Sequence, residues 1–153
     1  MGFHHNYQYL KPGDVIHAGN WGRLIQGYGA HHTLFLRETL WELVREFEFP
    51  QLPSRLRAPF FYDDEPTARR YWLEGDSPLV PNLYEVEVVD PSIPIHRADM
   101  ELWEQSWLQA HLPQEAADVA RLYWKGDAPS GRLESLTHSD LRVVGIVERA
   151  RPR

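Results

Sequence analysis

The run Leu141-Arg142-Val143-Val144-Gly145-Ile146-Val147 constrains this chain more than any other segment. β-branched side chains are stiff at χ1 and pack well on a pleated surface, and a nearly continuous apolar run calls for cover on both faces. It predicts a central strand, covered on both sides. Leu83 to Val89 reads differently, because Tyr84, Val86 and Val88 alternate with Glu85 and Glu87, the period of a strand with one wet face. Pro91 and Pro94 close it. Phe3 to Ile16 predicts a short extended piece, a turn over Leu10 to Asp14, and a second extended piece from Val15. Phe60-Phe61-Tyr62 is a further short strand.

Helical spacing predicts a helix from about Thr33 to Phe47, with Leu36, Leu40, Leu43, Val44 and Phe47 on its core face and Arg37, Glu38, Glu42 and Arg45 elsewhere. Asp63-Asp64-Glu65-Pro66 supplies N-cap acids and an early proline for a second helix through Ala68 to about Leu73. A third fits Pro113 to Trp124, with Gly126 just past its end. Gly19-Asn20-Trp21-Gly22 reads as a loop by composition. Strands mixed with about three helices, without regular strand–helix alternation, predict an α+β fold with a mostly antiparallel sheet. With no internal repeat, the 153 residues are expected to form a single domain.

Composition narrows the function. The chain has no cysteine, which rules out disulfides and thiolate metal sites and suits a reducing cytoplasm. No run approaches the ~18 apolar residues of a membrane span, and Met-Gly-Phe-His-His-Asn lacks the pattern of a secretory leader. A net charge of −6 with mixed signs disfavours non-specific nucleic-acid binding.

Eight histidines include the adjacent pairs His4-His5 and His31-His32. Neighbours on a strand point to opposite faces, so such a pair gives at most one ligand to a site, and no His-Glu-x-x-His occurs; no metal site is expected. His17, His31, His32, His111 and His138 read as surface and loop residues. None of the serines lies in a Gly-x-Ser-x-Gly elbow, and phosphate-cradling glycine loops are absent.

Three scattered features carry a resemblance. Phe3-His4-His5-Asn6 precedes a Leu-x-x-Gly-Asp turn; Phe60-Phe61-Tyr62 precedes an acid-capped helix containing Ala68; and Leu83 to Glu87 leads through prolines to Asp99, with Asp140 to Gly145 closing the chain. In order and spacing, over about half the chain, these resemble the diphtheria-toxin-like ADP-ribosyltransferases, in particular the small rifamycin ADP-ribosyltransferases, whose first motif is Tyr-His-Gly-Thr. The resemblance implies an ADP-ribosyltransferase-like split sheet and an NAD-dependent mono-ADP-ribosyltransferase that transfers ADP-ribose to an unknown acceptor. On that overlay His4 takes the family's NAD-binding histidine, Phe61 the aromatic that faces nicotinamide, and Asp99 the catalytic acid, with Glu101 or Glu104 as fallback. Cleavage of the nicotinamide–ribose bond passes through an oxocarbenium-like state, which a carboxylate beneath the sugar stabilises. An imidazole held by the protein through one nitrogen can bind a ribose hydroxyl through the other, and an aromatic face attracts the nicotinamide cation. Two departures stand out: His5 replaces the family's glycine, and Phe61 lacks the phenol of the family's tyrosine. Trp21 and Arg23 would form a cofactor loop, Arg23 on a phosphate, with Arg55 or Arg57 as other phosphate partners.

Plainer readings stand beside these. His4 is also a residue near a terminus, Phe61 a core aromatic, Asp99 a helix cap and Trp21 a pin for its loop. Ala120 to Gly126 is similar to a poorly characterised group of small bacterial proteins sharing the same fold. A non-catalytic nucleotide- or protein-binding module on that scaffold is the alternative. A third reading makes Trp103, Trp107 and Trp124 an exposed interface.

Overall fold

A computed structural model describes residues 1–29, 32–74, 79–102, 113–128 and 130–152, and among them the fold is α+β. A four-stranded sheet has the order β1 (Gly2–Asn6), β5 (Asn82–Val88), β8 (Leu141–Glu148), β2 (Val15–Ile16). A three-stranded sheet has the order β3 (Phe60–Phe61), β7 (Leu133–Thr137), β6 (Ile95–Asp99), and β4 (Leu79–Val80) pairs with β9 (Arg151–Pro152). Every pairing is antiparallel. The two larger sheets meet at one corner, where Phe3 and Tyr62 exchange both backbone hydrogen bonds at 2.8 Å.

β8 is central, between β5 and β2, but it is not covered on both faces. Leu141 and Val143 are buried while Val144 and Ile146 are each 38% exposed, so its β-branched residues serve two different surfaces. β6 and β7 carry no hydrophobic alternation and escaped the sequence reading. Their buried positions, on both faces, include the polar residues His96, Asp99, Glu134, Ser135 and Thr137.

Four helices are described: α1 (Asn20–Tyr28), α2 (Thr33–Glu48), α3 (Glu65–Glu74) and α4 (Pro113–Lys125). α1 replaces the predicted loop. Its glycines are poor helix formers, yet Trp21, Ile25 and Tyr28 recur at helical spacing, and Gly22 lets the helix lie directly against the Leu56 carbonyl, which a Cβ would strike. α3 begins as predicted, with the Asp64 carboxylate accepting from the Thr67 N–H at 2.8 Å, and α4 ends at Gly126, whose φ is +80°.

α2 has the predicted length, but its buried face is turned about one residue from the predicted one: Val44 is buried and Leu40 packs against the core as expected, while the other three predicted positions do not. Arg37, Glu38, Trp41, Val44 and Arg45 point inward, while Leu36, Leu43 and Phe47 are exposed, Phe47 at 82%. The physical reason is Arg55, buried between α2, α4 and β7. Its guanidinium donates to both Glu38 oxygens, to the Tyr123 hydroxyl at 2.6 Å and to Glu134, and lies over the rings of Trp41, Phe60 and Tyr123. Burial alone disfavours its charge, but Glu134 and Glu38 hold the guanidinium firmly protonated. Around this network pack Trp41, Val44, Ala98, Leu102, Ala120, Tyr123, Trp124 and Leu136. Trp124 belongs to that core, its indole N–H donating to the Trp41 carbonyl at 3.0 Å, so it is no part of an exposed interface. Trp103 and Trp107 lie outside the described residues. Among the described residues, no helix is long and apolar enough to cross a membrane.

Candidate functional site

The candidate site starts at β1, because its pairing decides where each histidine points. His4 lies opposite Tyr84 and His5 opposite Leu83, and the two imidazoles go to different elements. The His4 Nδ1 lies 2.6 Å from the Phe60 carbonyl oxygen. A carbonyl only accepts, so Nδ1 carries the proton and Nε2 is left as an acceptor. Burial lowers the His4 pKa, only partly offset by that hydrogen bond, and the ring is neutral at pH 7. His5 Nε2 donates to the Ala68 carbonyl on α3 at 3.0 Å, and its ring lies 5.2 Å from that of Tyr62. Burial, with His4 as a second cause, brings the His5 pKa down to about 4. The side chain that replaces the glycine of the resembled motif is therefore committed to α3.

Phe61 sits beside this arrangement. It is buried among Ile16, Tyr84, Val86, Leu141 and Val143, and its ring lies against Gly2, where a Cβ would come within 2.5 Å of Cδ2. His4, Tyr84 and Phe61 thus share one side of the sheet corner. The aromatic strand is core as well as neighbour to His4.

Asp99 is not in this cluster. At the end of β6 it is wholly buried, and its carboxylate accepts from the Ser130 N–H and hydroxyl, both at 2.6 Å, and from the Glu101 N–H at 2.9 Å. Two strand positions and one intervening strand separate it from Phe61, since Asp99 pairs with Leu133 and Phe61 with Ser135 on β7. Glu101 is half-buried and bonds Arg132 at 2.7 Å. Glu104 lies outside the described residues, as do His31 and His111.

The other predicted residues are dispersed. Trp21 and Arg23 are on α1 rather than a loop; the Trp21 indole N–H is buried without a hydrogen-bond partner, and Arg23 is exposed and bonds Asn20. Arg55 is consumed by its buried network and offers nothing to a phosphate; Arg57 is exposed. His17 is exposed and pairs with Asp140 at 3.0 Å, His32 caps α2, and His138 Nε2 accepts from the Ser54 N–H at 2.8 Å. No group of three His, Cys, Asp or Glu among the described residues is placed to hold a metal ion.

One carboxylate near Phe61 escaped the sequence reading. Asp63 and Asp64 look alike as cap acids, but only Asp64 caps α3. Asp63 turns to the three-stranded sheet, accepting from the Ser135 hydroxyl at 3.0 Å and pairing with Arg97. Ser135 is directly opposite Phe61 in the register, so this half-exposed ion pair flanks the aromatic strand. Only the register reveals it.

No curated protein matches the chain. Residues 4–149 match the model of a family described as a protein of unknown function, DUF2441, from the first histidine of β1 to just beyond β8. With nearly its whole length so matched, the chain belongs to the DUF2441 family.

Proposed function

We propose that this protein binds NAD and acts as a mono-ADP-ribosyltransferase, cleaving the nicotinamide–ribose bond and passing ADP-ribose to an acceptor. The observation that carries the reading is His4: a neutral imidazole, fixed through Nδ1 by the Phe60 carbonyl, with Nε2 left to accept from a ribose hydroxyl. The adjoining aromatic strand and the antiparallel sheets are in keeping with the ADP-ribosyltransferase-like fold that the sequence resembles. Asp99 is the acid of this reading, and to act on the sugar it must leave Ser130. A chain without cysteine suits the cytoplasm as its place of work.

A second reading, a nucleotide-binding module without the reaction, is favoured by that same carboxylate, whose hydrogen bonds to Ser130 and Glu101 leave it no evident role beneath a sugar. Calorimetry with NAD, paired with an assay of nicotinamide release, separates the two. The enzyme reading predicts binding, release, and loss of release in Asp99→Asn; binding with no release supports the module. No heat at millimolar NAD overturns both.

A further inference from the structure

Beyond β1 the chain makes a feature that neither core nor candidate site requires. Tyr7 and Tyr9 are 58% and 62% exposed, on either side of Gln8. The backbone between them is pinned by buried groups: the Gln8 carbonyl accepts from the Tyr84 hydroxyl at 2.9 Å and from the Asn82 amide at 3.1 Å, and the Leu10 N–H donates to the same hydroxyl at 2.8 Å. Asn82 also accepts from the Ala150 N–H at 2.9 Å, which fixes the chain beside Arg149. The Arg149 guanidinium lies 6.0 Å from the centre of the Tyr9 ring.

Two buried side chains, Tyr84 and Asn82, thus hold two phenol rings in water and set a cation beside one of them. Such exposure gains no burial energy, and a loop that merely joined β1 to β2 would not need two exposed tyrosines flanking a backbone pinned at Gln8. From this arrangement we propose that Tyr7, Tyr9 and Arg149 form a stacking platform for the bases of a short single-stranded nucleic acid. Every base offers a π-face to an aromatic side chain, and a neighbouring guanidinium meets the phosphate. Lys11 and Arg151, both exposed, are the other cations close along the chain; nearby acids are Asp14, which accepts from the Lys11 N–H, and Glu148, paired with Arg69. With a net charge of −6, attraction is local to this spot, and stacking, not long-range steering, supplies the affinity. The proposal does not depend on the NAD reading.

The test is fluorescence anisotropy of a labelled ten-nucleotide oligothymidylate with the full chain, with unlabelled AMP and a proline-rich peptide as competitors. Wild type binds, and Tyr7→Ala combined with Tyr9→Ala weakens binding at least tenfold, on the scale of one lost base stack. Arg149→Ala weakens it less and lowers the salt dependence. His4→Ala leaves it unchanged, which keeps the result separate from NAD binding. Full competition by AMP at equal base concentration overturns the strand as occupant in favour of free nucleotides. Displacement by the peptide alone, no binding by wild type, or an unaltered double variant whose circular dichroism is native overturns the proposal.

Discussion

Single residues in this protein are decided by what lies within a bond length or two. Gly2 allows the Phe61 ring to lie on β1, and a Cβ there would meet both Cδ2 and the Tyr62 carbonyl. Gly2→Ala is expected to cost about 1–3 kcal/mol by overpacking, read from urea denaturation, and to shift the His4 resonances through the adjacent Phe60. The histidines give a pH dependence of definite sign. The pKa values of His4, His5, His96 and His138 are all lowered, chiefly by burial, so the unfolded chain takes up protons first as pH falls. Stability contributed by their neutral forms is complete above about pH 6.5 and lost as pH drops toward 4, where His5 itself protonates. Thermal melting followed from pH 7 to pH 4.5 should show a falling Tm, with a shallower fall in His5→Gln; a Tm that rose on acidification would contradict the assignment.

At the scale of elements, α2 explains best what the sequence hides. Its periodicity is legible, and so is its length, but the face that turns inward is set one residue round from the predicted one, keeping Val44 and Leu40 and leaving Leu36, Leu43 and Phe47 outside. Glu38 is drawn inward because Arg55, seventeen positions beyond it in the chain, needs a carboxylate, and Arg37 follows by pairing with the same Glu38 at 2.8 Å. No local pattern carries that information. The expected consequence is an inversion of ordinary substitution effects: Phe47→Ser changes stability by less than about 0.5 kcal/mol, whereas Trp41→Ala costs about 3–5 kcal/mol, both by urea denaturation. Arg55→Ala, leaving Glu134 buried without its cation and Glu38 with Arg37 alone, costs about 3–5 kcal/mol, again by urea denaturation. α3, α4, β2 and β5 were readable because caps, prolines and strict alternation are local signals. β6 and β7 were not, since their buried positions are filled by polar groups satisfied from distant elements.

Across the whole molecule, the candidate site rests on a corner where two antiparallel sheets are stitched by the Phe3–Tyr62 pairing. The sequence pointed to His4 and Phe61 by their order along the chain, and the fold sets them side by side. It could not reveal that Asp99 closes a turn with Ser130, nor that Asp63 leaves its cap to join Arg97, because both depend on residues brought together from about thirty positions away. The most direct test follows the His4 imidazole by 15N NMR during titration with NAD. The account predicts a protonated Nδ1 and a bare Nε2 in the free protein, with Nε2 shifting as a ribose hydroxyl bonds to it. A proton already on Nε2, or ring resonances unmoved at saturating NAD, would contradict it.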